Sequence, residues 1–140
     1  MKQVLCLITI LFTINVYSQD TDSSDDFVSF ECSFDFDGRK SFNRFTVDME
    51  EKMAEWALIN EDGIVRKGIR GAEKTNLKVF VAPSYITILD PGDITVTHKI
   101  SRKDLSYRRD RSGISYGTII SGTETGSCKK IEIETAGNLF

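Results

Sequence analysis

The chain has 140 residues, 40% of them hydrophobic, with 18 Lys plus Arg against 21 Asp plus Glu and a formal net charge of −3. That length suits one compact domain and is short for two, with enough apolar material for a core that needs no dense disulfide framework or structural metal. The mild acidity lacks the basic excess of a nucleic-acid binder, so no nucleic-acid partner is expected.

At the N-terminus Lys2, the apolar run Val4 to Val16 and small Ser18 before Gln19 stand in the order of an export leader, which predicts a signal peptide over 1–18. The run is shorter than the about 20 apolar residues of a spanning helix, so no transmembrane anchor is expected after cleavage. Residues 19–26 (QDTDSSDD) hold four Asp and no apolar side chain and read as a flexible acidic arm before a single β domain over 27–140. Cys6 is expected to leave with the leader. The remaining Cys32 and Cys128 are expected to pair in a secreted or periplasmic compartment, since no Cys-x-x-Cys spacing occurs and His98 is the only histidine. These residues call for no metal and no cofactor.

From Phe27 onward apolar residues alternate with a period of two, which is the pattern of half-buried strands. Val28, Phe30, Cys32, Phe34 and Phe36 share a face. Asp37-Gly38 turns the chain, and Phe45, Val47 and Met49 alternate on the way back. Met49 to Ile59 carries both periods. Met49, Met53 and Trp56 keep helical spacing behind an Asp48 cap, while Ala54, Trp56 and Leu58 alternate into the turn Glu61-Asp62-Gly63 and on to Ile64 and Val65, and a strand is preferred. Lys67 to Asn76 reads as a loop, followed by a strand through Leu77, Val79 and Val81 and another over Tyr85 to Leu89. Asp90-Pro91-Gly92-Asp93 is a turn in which Gly92 is free to take positive φ. Ile94, Val96, His98 and Ile100 then share a face; Leu105, Tyr107 and Arg109 follow, then Ile114, Tyr116, Thr118 and Ile120. Ser121 to Ser127 reads as a flexible connection before a last strand with Cys128, Ile131 and Ile133.

Eight to ten short antiparallel strands predict an all-β fold, a meander closing into a small barrel, with a two-layer sandwich as the alternative. A disulfide between first and last strands favours closure, because it makes those strands neighbours.

Sites for chemistry are few. His98 lies among Ile94, Val96 and Ile100 with no second histidine or free cysteine to complete a dyad, so hydrolysis through His98 is the weakest alternative. The strongest local feature is Lys99 to Arg111, where Lys99, Arg102, Lys103, Arg108, Arg109 and Arg111 face only Asp104 and Asp110. Pairing Lys99 with Arg108 in one hairpin would give a positive patch with Tyr107 beside it, suited to an anionic protein, glycan or envelope lipid.

Ser112-Gly113-Ile114-Ser115-Tyr116 resembles the Ser-Gly-x-x-Tyr loop of small periplasmic inhibitors of c-type lysozyme, themselves disulfide-linked β-barrels. The resemblance covers these five residues and implies an inhibitory loop at Ser112, Gly113 and Tyr116. The family also uses a lysine on that surface, and none occurs here between Tyr116 and Cys128. The leading expectation is a secreted or periplasmic, non-enzymatic binding domain, acting through the basic hairpin or a barrel mouth. Inhibition of a lysozyme-like or other extracellular enzyme is the alternative.

Overall fold

A computed structural model describes residues 26–64, 66, 71 and 73–132. The leader at 1–18, the arm up to residue 25, Val65, residues 67–70 and Ile133 lie outside the described residues. Eight strands follow one another: β1 Phe27–Phe36, β2 Arg39–Asp48, β3 Met53–Ile59, β4 Glu73–Val81, β5 Tyr85–Asp90, β6 Ile94–Ser101, β7 Ser106–Ser115 and β8 Thr118–Ile131. Each pairs antiparallel with its neighbour, and β8 returns to β1, so the sheet closes into a barrel in the order β1 to β8.

Closure joins the two ends of the chain. β1 and β8 pair from Ser29↔Ile131 to Phe34↔Gly126, and the register sets Cys32 directly opposite Cys128. These two cysteines form the disulfide, 96 residues apart in sequence and shielded inside the barrel. A bridge of this kind is the state an oxidising environment maintains.

Alternation then decides what fills the interior. Phe30, Phe45, Val47, Leu77, Val79, Ile86, Ile88 and Ile100 all point inward and are buried. Full burial of a side chain of this size stabilises the fold by about 1.5–3 kcal/mol. Turn chemistry fixes the register: Asp37-Gly38 and Tyr116-Gly117 are two-residue turns with positive φ at both positions, the form whose twist matches a hairpin. The Met49 to Ile59 ambiguity resolves as a turn and a strand. Asp48 Oδ1 does accept from the Glu50 and Glu51 N–H groups, at 3.0 and 2.8 Å, but it caps the β2–β3 turn and no helix follows.

Several boundaries differ from the sequence expectation. β4 begins at Glu73, inside the stretch read as a loop to Asn76. Asn76 adopts positive φ, and the β3–β4 register shifts between Ala54 and Trp56, so the polar residues before Leu77 form a bulged strand. The turn at Glu61-Asp62-Gly63 forms, held by Asn60 Oδ1, which accepts from Asp62 and Ile64 N–H. Gly92 stays out of the left-handed region, while Leu105 enters it and so belongs to the β6–β7 turn rather than to β7.

The largest correction concerns Ser121 to Ser127, which is strand and not a flexible connection. β8 runs unbroken through it and pairs with β7 from Ser106↔Ser127 to Ser115↔Thr118. Its glycines are there for close approach: a Cβ at Gly126 would lie 1.9 Å from the Ser33 carbonyl oxygen.

Replacing Cys32 and Cys128 together by alanine is expected to lower the unfolding free energy by about 4 kcal/mol, the chain-entropy value for so long a loop. Urea denaturation of the oxidised wild type and the double variant measures it, and coincident midpoints would mean that the bridge adds nothing to closure.

Candidate functional site

The interior is apolar at one end and polar at the other. Along β7 the side chains alternate so that Tyr107, Arg109 and Arg111 face inward while Arg108 and Asp110 face out. Inward from β8 comes Glu124, buried to 9% exposure, and it receives both arginines: Arg109 Nη1 donates at 3.1 Å and Arg111 Nε at 3.0 Å. Aromatic faces carry the two guanidiniums. Arg111 lies 4.8 Å from the Phe36 ring centre and Arg109 5.5 Å from that of Phe34. Across the barrel Lys74, brought inward by the β4 bulge, pairs with Asp90 at the end of β5 and lies 5.8 Å from the Trp56 ring centre.

Beneath this charged layer sits a buried hydrogen-bond chain. Asn43 Nδ2 donates to the Tyr107 hydroxyl at 3.1 Å, and the hydroxyl in turn donates to His98 Nδ1 at 2.7 Å. That arrangement leaves the imidazole proton on Nε2. Burial, reinforced by the nearby charges of Arg109 and Lys74, pushes His98 down to about 3, so the ring is neutral near pH 7. Burial likewise pushes the Tyr107 hydroxyl up, well above its usual range. A histidine held this way has lost the basicity that proton abstraction near neutrality requires.

Two buried polar atoms facing this region have no partner, Asn43 Oδ1 and Trp56 Nε1. With His98 neutral, the layer holds three cations, Lys74, Arg109 and Arg111, against two carboxylates, Asp90 and Glu124. Trp56, Leu58 and Val96 point inward and remain half-buried at this end, as Val28 and Met49 do at the rim of the other, while Val47 and Ile100 between them are fully buried. Solvent reaches the polar end, where the Lys74 side chain keeps 40% of its exposure and those of Arg109 and Arg111 about a fifth, 20% and 21%. β1 and β8 stop pairing at Phe34↔Gly126, which leaves the Thr118–Thr125 part of β8 unpaired on that side, next to Phe36.

The six basic residues of Lys99 to Arg111 do not form one patch. Lys99 and Arg108 are paired in register on the outer face, and Arg102 and Lys103 occupy the adjoining turn. Arg109 and Arg111 belong to the interior, and Tyr107, expected beside the patch, is buried there with them. Arg108 also spends its charge locally, donating to Asp110 at 2.8 Å and holding that carboxyl below its usual range. The segment Ser112 to Tyr116 is also divided. Ser112, Gly113, Ile114 and Ser115 complete β7, and of the five only Tyr116 is in a turn, its side chain fully exposed between exposed Ile114 and Ile119. A Cβ at Gly113 would lie 2.1 Å from the Asp93 carbonyl oxygen, so that glycine serves the packing of β7 against the β5–β6 turn.

Asn43, Trp56, Lys74, Asp90 and Glu124 were not singled out by the sequence. Their signal was an alternation that placed polar residues on the inward face: Asn43 between Phe45 and Ser41, and Glu124 between two glycines. Among the described residues no group of three His, Cys, Asp or Glu side chains could hold a metal ion. No family model, curated protein or solved structure matches the chain. A barrel alone does not specify an activity, so function has to be argued from these side chains.

His98 also makes stability depend on pH. Its folded pKa lies below the ordinary 6.5, so its contribution is full above that pH and is lost as the pH falls toward 3. Between pH 7 and pH 5 the wild type is expected to lose about 2 kcal/mol that His98→Asn does not lose. Denaturation curves of both proteins at the two pH values measure the difference; parallel losses would mean that His98 titrates normally in the fold.

Proposed function

We propose that the protein is an exported, non-enzymatic binding barrel that holds a small amphiphilic carboxylate in its polar end. The observation that carries this reading is the excess cation of the interior layer beside the unpartnered donor Trp56 Nε1. Buried ion pairs are a poor way to stabilise a core, since apolar side chains of the same volume usually do as well or better. Placed at a solvent-reached mouth and backed by Phe36 and Trp56, they instead match the make-up of a ligand site, mostly apolar walls with a few converging polar groups. Eight strands enclose room for side chains or for one small ligand. A carboxylate would take the positive charge that Glu124 and Asp90 leave uncompensated, and its apolar tail would lie against the aromatic rings.

Trp56 is the only tryptophan and reports directly on the site. Octanoate is expected to shift its emission saturably, with n-octanol far weaker, and Arg111→Gln is expected to weaken octanoate by about tenfold, the value of one charge-assisted bond. No shift, or equal responses to octanoate and octanol, would overturn the reading.

A second reading rests on a separate observation, the β7–β8 hairpin that ends in a fully exposed Tyr116 flanked by Ile114 and Ile119. A rigid two-residue turn carrying an aromatic tip is suited to entering an enzyme cleft, in keeping with the resemblance to lysozyme inhibitors. The purified protein would then reduce muramidase activity, and Tyr116→Ala would restore it by about tenfold or more, as for an interface anchor. Undiminished turnover with excess wild-type protein would remove this reading.

A further inference from the structure

The end of the barrel opposite the polar mouth carries a surface that the interior site does not use. There the β4–β5 turn and the β6–β7 turn are tied together, Arg102 N–H donating to the Ser84 carbonyl at 2.9 Å and its guanidinium to the Ala82 carbonyl at 3.1 Å. Around this junction Phe80, Val81 and Tyr85 are exposed, Phe80 to 57%. Lys99 Nζ lies 4.0 Å from the centre of the Tyr85 ring, and Lys78, Lys99 and Lys103 are all exposed. Across the outer face of β4 to β7 and these turns there are five cations, counting Arg102 and Arg108, against Asp104, Asp110 and, at the far end of β4, Glu73. Asp110 is already taken by Arg108, and Asp104 accepts from the Ser106 N–H and hydroxyl, at 3.1 and 2.9 Å.

We infer that this end of the barrel docks on an anionic phospholipid surface, with Phe80 and Tyr85 entering the headgroup layer and Lys78, Lys99, Arg102 and Lys103 resting on lipid phosphates. Charge complementarity in an otherwise acidic protein selects an anionic partner. The apolar residues select the kind. They flank the β4–β5 turn, and apolar side chains interspersed with cations are the composition of an interfacial membrane contact, in which both the headgroup charge and the acyl boundary are used. A soluble polyanion would use the lysines and leave Phe80 in water.

The test is sedimentation with phosphatidylcholine vesicles, with and without phosphatidylglycerol, using wild type and variants purified in the same form. Wild type is expected to bind the anionic vesicles at least about tenfold more tightly than the neutral ones, with the difference shrinking as salt is raised. Lys99→Glu with Lys103→Glu is expected to abolish that difference, and Phe80→Ser to weaken binding to the anionic vesicles by about tenfold. Should the Lys99 change disturb the fold, as seen in circular dichroism, Lys78→Glu with Lys103→Glu replaces it. The inference is overturned if wild type fails to prefer anionic vesicles. It is also overturned if Phe80→Ser binds them as wild type does while both proteins bind heparin through the lysines, which would assign the face to a polyanion.

Discussion

Everything in this protein depends on the pairing of β1 with β8. A meander of eight strands has two edges until its first and last strands meet, and an open edge offers unpaired N–H and C=O groups to any passing chain. Here the meeting is enforced twice, by the backbone ladder from Ser29↔Ile131 to Phe34↔Gly126 and by the covalent Cys32–Cys128 bridge in its middle. Gly126 allows the contact, since any larger residue there would collide with the Ser33 carbonyl. Once the sheet is closed, every second side chain of every strand has to share one interior, and the chemistry of that interior is decided by strand parity alone.

Parity is why the polar end exists. On β7 a shift of one residue would turn Arg109 and Arg111 out to water and bring Arg108 and Asp110 inside. The register with β6 and β8 prevents it, setting Arg109 between His98 and Glu124. Taking Glu124 and two guanidiniums out of bulk water costs several kcal/mol per fully desolvated ion, and the mutual hydrogen bonds offset only part of that. The cost is limited because both arginine side chains keep about a fifth of their exposure, at 20% and 21%. The apolar half of the barrel, from Phe30 and Phe45 to Ile88 and Ile100, supplies the stability that permits such a layer. The proposed binding role of the charged half rests on this division of labour.

Much of the fold was legible in the sequence because alternation and turn chemistry are local. The run Val28 to Phe36, the Asp37-Gly38 turn and the shared face of Ile94, Val96, His98 and Ile100 depend on nothing far away. What was not legible depended on partners. Ser121 to Ser127 has the composition of a linker, and only the backbones of β7 and β1 lying against it make its glycines strand residues. Glu73 to Asn76 looked like the end of a loop because a bulge at Asn76 breaks the alternation that would have announced a strand. The basic segment was read by composition, as a single patch, where reading it by parity would have separated Arg109 and Arg111 from Arg108. Tyr107 would have gone inward by the same rule, with His98 and Asn43.

The alternating up-and-down path of the chain also separates the two surfaces. Turns after β2, β4 and β6 fall at one end of the barrel, and those after β1, β5 and β7 at the other. The first group carries Phe80, Tyr85, Arg102 and Lys103 at its β4–β5 and β6–β7 turns, and the second surrounds Phe36, Arg111 and Glu124. Two strands lie between successive turns of one end, so in this chain the basic aromatic turns and the polar mouth stand at opposite ends. If the first end rests on a charged surface, the mouth faces the surrounding solution, open to a small ligand arriving from it. The hairpin bearing Tyr116 projects in the same direction, so ligand entry and contact of that tip with another protein would compete for the same space at the mouth.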